Sequence, residues 1–216
     1  LAHEMKTPLT SIIGYADLMR IENLSEEEQK EACGYIYSEG KRLQNLSLKL
    51  MNLLVLKNQE FQMKKQNLVP MIHEVISSMQ YRLQEQKILV NLNLKPTICE
   101  VEADLLKSLI LNLVDNSLKS MNVGGILTIE CCPAQEGAKI YVSDTGCGMP
   151  KGELDKITEA FYRVDKSRSR KQGGVGLGLA LCKEIVRIHK GDMEFISQPG
   201  KGTTVMITIG GCDEKT

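Results

Sequence analysis

The chain has 216 residues, 42% of them hydrophobic, which predicts one large or two modest folded domains and excludes global disorder. Lysine plus arginine and aspartate plus glutamate balance at 27 each, so we expect no nucleic-acid partner and no diffuse attraction to a membrane surface. The seven cysteines include no Cys-x-x-Cys pair, which favours a reduced chain without a zinc site.

Two amphipathic helices are predicted before residue 57. The first has apolar residues at the spacing of one helix face: Leu9, Ile12, Ile13, Ala16 and Met19. Ser25 and Glu28 form a capping-box signature that starts the second helix. The second helix repeats apolar residues at near-heptad spacing: Ile36, Leu43, Leu46, Leu50 and Leu53. The pattern therefore predicts a helical hairpin.

This hairpin has too little surface to bury both apolar stripes between its own helices. Two arrangements would cover them: pairing with a second copy to give a four-helix bundle, or packing on the rest of the same chain. The near-heptad period is typical of helices that pair between chains, so we expect a homodimer through the hairpin.

After a linker at residues 58–67 the pattern becomes mixed, and we expect a second unit at residues 68–212. Its predicted elements are a helix near Pro70, a strand at Ile88–Leu94, a helix from about Asp104 to Met121, strands Ile126–Cys132 and Ala138–Ser143, a helix from about Leu177 to His189, and strands Met193–Ser197 and Thr203–Ile209. Helices grouped between strand hairpins predict an α+β sandwich, with the helices layered on one face of the sheet.

Three polar residues share one face of the apolar helix at residues 104–121. Asn112, Asn116 and Lys119 stand at i, i+4 and i+7. Amide oxygens suit Mg²⁺, and a lysine one turn further on can meet a phosphate. The alternative is that these side chains are simply solvated.

Asp144 follows an apolar strand and precedes Gly146 and Gly148. A plain turn would explain this composition. The functional interpretation is that the carboxylate accepts a hydrogen bond from an exocyclic amine, while the glycines let a flat ring approach the backbone.

A glycine-rich loop and a basic segment follow. Gly174, Gly176 and Gly178 open the helix at residues 177–189, where free N–H groups and the positive end of the helix dipole suit phosphates. No βαβ unit surrounds them, so the loop is not of the Rossmann type. The segment at residues 161–171 contains five basic residues, and it is predicted to be a solvated loop or a cationic lid over a triphosphate, mobile at residues 164–173 without nucleotide.

Four motifs occur in an order that resembles the N, G1, F and G2 boxes of the two-component sensor histidine kinases. They are Asn-x-x-x-Asn-x-x-Lys, Asp-x-Gly-x-Gly, the phenylalanine-containing basic segment and Gly-x-Gly-x-Gly. His-Glu-x-x-Thr-Pro at residues 3–8 resembles their phosphoacceptor box. The resemblance covers nearly all of the chain. It implies a dimerisation and histidine phosphotransfer hairpin at residues 1–57 and a Bergerat-type ATP-binding catalytic domain at residues 68–212. Ser120 stands where the family commonly has an aromatic residue, which puts an aromatic contact to the nucleotide there in question.

The resemblance implies roles for the first residues of the chain. His3 is the nucleophile that attacks the γ-phosphate of ATP, and Glu4 accepts the proton of the other ring nitrogen as a general base. Thr7 is where the family orients a water for dephosphorylation of the partner. Pro8 lacks an N–H, so the carbonyl of Glu4 loses its helical partner and the helix bends. The remaining histidines are expected to be structural: His73 and His189.

In the second unit the resemblance implies ATP and Mg²⁺ as ligands. Asn116, helped by Asn112, holds Mg²⁺, and Lys119 neutralises phosphate charge. Asp144 selects adenine, and Arg163 is the candidate for stabilising the γ-phosphate. The glycines expected around the nucleotide are Gly146, Gly148, Gly174, Gly176 and Gly178.

These roles predict an ATP-dependent histidine kinase that phosphorylates His3 and passes the phosphoryl group to an aspartate of a response-regulator receiver domain, with phosphatase activity in reverse. Two alternatives are a related ATPase without phosphotransfer and a nucleotide-binding scaffold without catalysis. The phosphoacceptor box and the complete motif set favour the kinase.

The chain has no initiating methionine and no apolar run of membrane-spanning length. We therefore expect the cytoplasmic fragment of a protein whose membrane attachment lies in a missing upstream region. Without the upstream helix turns, we expect slower phosphorylation of His3 and a weaker dimer, because first helix turns fray.

Overall fold

The computed structural model describes residues 2–21, 24–121, 123–135, 137–164 and 176–210. Helices α1 (Ala2–Ile21) and α2 (Glu26–Asn58) form the predicted hairpin. The capping box is confirmed, since the Ser25 N–H donates to Glu28 Oε2 at 2.9 Å and Ser25 Oγ accepts the Glu28 N–H at 3.4 Å. The Ser25 hydroxyl, which donates to Glu28 Oε2 at 2.7 Å, and the Ser25 N–H together lower the pKa of the Glu28 carboxyl.

The hairpin is held together by few buried side chains. The rings of Tyr15 and Tyr35 stack across it with centroids 4.7 Å apart. Within α1, all of which the structure describes, Pro8 is the only buried residue. Large apolar side chains of both helices are exposed: Leu9, Ile13, Leu18, Ile21, Leu48, Met51, Leu54 and Val55. Of the predicted stripes, α1 therefore leaves Leu9 and Ile13 exposed, whereas Leu46 and Leu53 of α2 are buried.

The second unit starts at residue 64. In chain order it consists of β1 (Lys64–Asn67), α3 (Leu68–Ser78), α4 (Gln80–Glu85), β2 (Ile88–Leu94), β3 (Ile98–Val101), α5 (Ala103–Ser120), β4 (Gly125–Pro133), β5 (Ala138–Asp144), a 3₁₀ turn (Lys151–Glu153), α6 (Gly178–Ile188), β6 (Asp192–Gln198) and β7 (Gly202–Ile209). One sheet has the strand order β2-β4-β5-β7-β6, with β2 and β4 parallel and the other neighbours antiparallel. Strands β1 and β3 form a separate antiparallel pair.

One face of the large sheet is covered by α5 and α6, which also pack on each other. Alternate residues of its strands are fully buried beneath these helices: Leu127, Ile129, Ile140, Val142, Ile207 and Ile209. Helix α5 buries seven residues: Leu106, Leu109, Ile110, Leu113, Val114, Ser117 and Leu118. The predicted α+β fold, a helical hairpin followed by a sandwich of helices on a sheet, is thus confirmed.

Two strands were not predicted. The expected linker at residues 58–67 contains β1, in which Lys64 pairs with Val101 and Asn67 pairs with Ile98 of β3. The sequence Lys-Lys-Gln-Asn has no apolar alternation, so its strand conformation comes from the partner strand. The predicted domain boundaries stay a prediction.

The helix predicted near Pro70 is divided in two. Asn67 caps α3 by accepting the Val69 N–H at 3.1 Å, so Pro70 is the third helical residue. Met79 has φ −100° and ψ 2° and separates α3 from α4. The break lets both Met79 and Leu83 stay buried in the same core.

The cysteines in the described residues are free thiols. Cys99, Cys131 and Cys182 are buried, and burial raises the pKa of all three thiols, that of Cys182 to about 12. Cys33 and Cys147 are exposed. The buried cysteines thus serve as small apolar residues, as expected.

His189 has a structural role. Its Nε2 accepts the Glu102 N–H at 3.1 Å, so Nδ1 carries the proton that is donated to the Ile185 carbonyl oxygen at 2.8 Å. Among the helices in the described ranges, none combines the length and apolar character that crossing a membrane demands.

Candidate functional site

The predicted asparagine face of α5 lies against the start of α6. A side-chain carbon at Gly178 would lie 3.5 Å from Asn112 Oδ1 and 3.8 Å from both polar atoms of the Asn116 amide. The structure therefore brings together two motifs that are separated by about 60 residues of sequence. Gly174, also predicted at this site, lies outside the described residues.

The two amides fit a site for phosphate and Mg²⁺. Asn112 Nδ2 donates to the Ser108 carbonyl oxygen at 2.7 Å, which leaves its amide oxygen available. Asn116 Nδ2 is buried and has no hydrogen-bond partner among the described residues. A buried amide nitrogen is costly unless an acceptor such as a phosphate oxygen reaches it.

The described residues contain no group of three or more His, Cys, Asp or Glu side chains that could hold a metal ion. The amide oxygens of Asn112 and Asn116 are the oxygen donors that the sequence predicts for a hard cation at this site. Mg²⁺ is typically bound by few protein ligands together with water and substrate phosphates, and this donor set suits that arrangement.

Lys119 is held by an ion pair that the sequence analysis missed. Its Nζ lies 2.6 Å from Asp115 Oδ2, and Arg82 Nη1 of α4 lies 2.7 Å from Asp115 Oδ1. Burial opposes ionisation of Asp115, but the hydrogen bonds and charges of Lys119 and Arg82 outweigh it and lower the pKa of the carboxyl. The i, i+4 spacing of Asp115 and Lys119 was the signal that could have revealed this pair.

The Asp144 carboxylate is held by the end of α5. Asp144 Oδ2 accepts the Ser117 hydroxyl at 3.0 Å, and Oδ1 accepts the Ser120 hydroxyl at 2.9 Å and the Gly146 N–H at 2.8 Å. Neither serine was predicted to contact Asp144. Ser117 and Ser120 lie within four residues of Asn116 on α5, so the last turns of this helix carry both the asparagine face and the contacts to the carboxylate.

The glycines after Asp144 make room for other parts of the protein. A side-chain carbon at Gly146 would lie 2.0 Å from Ser120 Oγ. Gly148 has φ +62°, and a side-chain carbon there would lie 2.0 Å from the Gln198 carbonyl oxygen of β6. Both positions thus need glycine for internal packing, and the approach of a flat ring stays a prediction.

The basic segment and the glycine loop meet at Phe161. The Phe161 N–H donates to the Gly176 carbonyl oxygen at 2.8 Å. Gly176 has φ +74°, and a side-chain carbon there would lie 2.8 Å from the Tyr162 carbonyl oxygen. Residues 165–175, which carry most of the predicted lid, lie outside the described residues, so the lid stays a prediction.

The predicted N-terminal box lies in the first turns of α1. His3 is exposed, and its carbonyl oxygen accepts the Thr7 hydroxyl at 3.2 Å. Glu4 Oε2 accepts a hydrogen bond from Arg163 Nη2 at 2.8 Å and lies 3.7 Å from Arg42 Nη2 of α2. The Arg163 side chain is only 6% exposed. This ion pair joins the hairpin to the second unit, and neither Arg42 nor the pairing was foreseen.

A cleft of about 1180 Å³ opens elsewhere, between α2, α6 and β6. Its apolar walls include Leu53, Phe161, Val186 and Phe195. None of the asparagines of α5, nor Asp144, lines this cleft. Among the described residues, those predicted to bind a nucleotide therefore do not line it.

Two family models match the chain. The histidine kinase-, DNA gyrase B- and HSP90-like ATPase family matches residues 101–210. The His kinase A (phospho-acceptor) domain matches residues 1–53. The sensor protein SrrB of Staphylococcus aureus is 29% identical over 215 residues, which are 97% of this chain and 36% of SrrB. The chain thus spans about a third of the length of the curated relatives that it matches.

Solved structures share the fold. Histidine kinase ThkA in complex with the response regulator protein TrrA is similar with a TM-score of 0.79 and 21% identity, covering 100% of this chain and 61% of that chain. Acinetobacter baumannii histidine kinase AdeS gives a TM-score of 0.75 and 20% identity over 96% of this chain and 97% of that chain. Full-length ShkA in complex with AMPPNP gives a TM-score of 0.68 and 21% identity, covering 98% of this chain and 45% of that chain.

Proposed function

Since the chain belongs to the two-component sensor histidine kinase family, we propose that it is an ATP-dependent protein-histidine kinase. It transfers the γ-phosphoryl group of ATP to His3 and then to an aspartate of a response-regulator receiver domain. The proposal is supported by the combination of a phospho-acceptor domain and an ATPase domain in one chain.

The observation that carries this proposal is the contact between Glu4 and Arg163. Glu4 directly follows the proposed acceptor His3. Arg163 lies two residues after Phe161, whose N–H donates a hydrogen bond to Gly176 of the glycine loop. The contact joins residues 159 positions apart in the chain. An arginine that reaches the acceptor box is well placed to meet a phosphoryl group that arrives there.

In the proposed reaction, one ring nitrogen of His3 forms a bond to the γ-phosphorus while the phosphorus–oxygen bond to ADP breaks. Glu4 accepts the proton of the other ring nitrogen. Arg163 moves from the Glu4 carboxylate to the γ-phosphate. The exchange stabilises the charge of the transferring group and frees the general base at the same time.

The chain's own residues bind and orient the nucleotide. Asn112 and Asn116 would hold Mg²⁺, and the ion would supply positive charge that neutralises the phosphates. Lys119, fixed by its ion pair with Asp115, faces the phosphates as a second positive group. Asp144 accepts a hydrogen bond from the adenine amine, whereas guanine presents a carbonyl oxygen at the equivalent position.

The exposed apolar residues of the hairpin support a homodimer. Ile13 is 52% exposed and Ile21 74% exposed on α1, and Met51 is 60% exposed on α2. A second hairpin would cover these side chains in a four-helix bundle, which is the arrangement that we propose.

Two further parts of the proposal concern the reverse reaction and the whole protein. The Thr7 hydroxyl would orient a water for dephosphorylation of the response regulator. The whole protein would be attached to a membrane, and the name and greater length of the sensor protein SrrB support this part of the proposal.

The proposed kinase is tested with radiolabelled ATP and Mg²⁺. The wild-type chain should acquire phosphate that is labile in acid and stable in base, and His3→Gln should acquire none while binding ATP as tightly. His73→Gln is the matched control and should be labelled as the wild type is. ATP hydrolysis without protein labelling would favour the related ATPase, and ATP binding without either would favour the scaffold.

A further inference from the structure

The carboxylate of Asp144 is nearly saturated by hydrogen bonds from the protein itself. Oδ1 accepts the Gly146 N–H at 2.8 Å and the Ser120 hydroxyl at 2.9 Å, and Oδ2 accepts the Ser117 hydroxyl at 3.0 Å. An ionised carboxylate offers about four acceptor positions. About one position is therefore left, on Oδ2, for a ligand.

The direction of the Ser120 hydroxyl decides this count. Ser120 Oγ lies 2.9 Å from Asp144 Oδ1 and 2.8 Å from the Ser117 carbonyl oxygen, but it carries a single proton. If the proton pointed to the carbonyl, the lone pairs of Ser120 would face the negative carboxylate. A hydrogen bond to an ionised acceptor is also the stronger one. The proton therefore points to Asp144.

The surroundings fix the two serines in place. A side-chain carbon at Gly146 would lie 2.0 Å from Ser120 Oγ, so the backbone there packs directly on the hydroxyl. Ser117 is 5% exposed, so water does not readily replace its hydroxyl. Both serines come from the last turn of α5, the helix that also carries Asn112 and Asn116.

We propose that Ser117 and Ser120 are specificity-determining positioning residues, which aim the Asp144 carboxylate so that its one open acceptor position meets the exocyclic amine of adenine. The inference rests on the proposed function, in which Asp144 reads the base. Without the two hydroxyls the carboxylate can rotate about its Cβ–Cγ bond and offer its oxygens to water. A nucleotide that lacks the amine would then be disfavoured less.

A purely structural role is the alternative, in which the serines only fasten the end of α5 to the end of β5. The two roles are separated by a ratio of affinities. The test measures by calorimetry the Kd of ADP and of purine riboside 5′-diphosphate, which lacks the amine, each with Mg²⁺. Because both values come from the same folded population, their ratio is unaffected by loss of stability.

The wild type should prefer ADP by about 10-fold or more, the range for a hydrogen bond to a charged group. Ser120→Ala, and more strongly Ser117→Ala with Ser120→Ala, should reduce the preference by about 3- to 10-fold. Ser120→Thr keeps the hydroxyl and should keep the preference. Ser143→Ala is the matched control, because its hydroxyl bonds to Thr204 and not to the carboxylate.

Three outcomes would overturn the inference. The first is a double variant that keeps the wild-type preference while Asp144→Asn abolishes it, since Asp144 would then read the base without the serines. The second is an equal loss in Ser143→Ala. The third is a wild type that binds both diphosphates equally, which would overturn the proposed base selection itself.

Discussion

Helices α1 and α5 are of similar length but opposite in how they are stabilised. Helix α1 has 20 residues and buries Pro8 alone, whereas α5 has 18 residues and buries seven. Ile13 on α1 is 52% exposed, and Ile110 on α5 is fully buried. Helix α5 therefore obtains its stability from within the chain, while the apolar face of α1 requires a partner. Three leucines of α2 belong to the same buried cluster as the second unit: Leu46, Leu53 and Leu56. The apolar face that is left uncovered within the chain is therefore mainly that of α1.

The largest expected effect tests this contrast with one residue type. Ile110→Ala should lower the free energy of unfolding of the second unit by about 2–5 kcal/mol, because it leaves a cavity in a closed core. Ile13→Ala should change the same free energy of unfolding by about 0.5 kcal/mol or less, as is usual for exposed sites. Ile13→Ala should instead weaken self-association. Urea unfolding and sedimentation measure the two effects, and equal destabilisation by both substitutions would refute the contrast.

The next effect concerns ligand binding by the second unit. Asp144→Asn should weaken ATP binding by about 1–3 kcal/mol, the range for disturbing a hydrogen bond to a charged group. The wild type should strongly prefer ATP to GTP in calorimetry. Because Asp144 is bonded to α5 through Ser117 and Ser120, melting curves should be recorded alongside. Equal affinity of the wild type for ATP and GTP would refute base selection by this residue.

A smaller effect is expected where the two regions touch. Arg163→Ala removes the 2.8 Å hydrogen bond to Glu4. It should weaken the packing of the hairpin on the second unit by about 1–2 kcal/mol of free energy, a value between those for exposed and buried ion pairs. Hydrogen exchange should then become faster in α1 and stay unchanged in α5. Arg42→Ala is the matched control, since Arg42 lies 3.7 Å from Glu4 and should matter less. Unchanged exchange in α1 would show that the ion pair does not hold the hairpin.

The smallest effect is a pH dependence within the second unit. The pKa of Asp115 is lowered in the folded state, so its stabilising contribution is complete above the unfolded pKa of about 3.9 and is lost as the pH falls through the folded value. Asp115→Asn should therefore flatten the acid side of a plot of stability against pH. The unfolding free energy between pH 5 and pH 2 tests this, and an identical slope in both proteins would contradict it.

The sequence was sufficient to predict those features that depend on neighbouring residues, namely the secondary structure and the faces of individual helices. The alternation of β4 and β5 and the apolar face of α5 predicted their structure, and the spacing of Asn112 and Asn116 predicted that they share a face. Strand β1 was missed because its polar sequence becomes a strand only through pairing with β3. The contacts of Asp144 with Ser117 and of Glu4 with Arg163 span 27 and 159 residues. No periodicity in the sequence encodes such contacts, because the packing of helices on the sheet creates them.

The six described cysteines differ in exposure, and this difference favours chemical labelling at two of them. Maleimides react with thiolates, so a buried thiol such as Cys182, with its pKa raised to about 12, should react slowly at neutral pH. Cys33 on α2 and Cys147 beside Gly148 are exposed. A dye on each would report the distance between the hairpin and the second unit, so that a single-molecule experiment could show whether the proposed transfer of Arg163 from Glu4 to the phosphate separates the two.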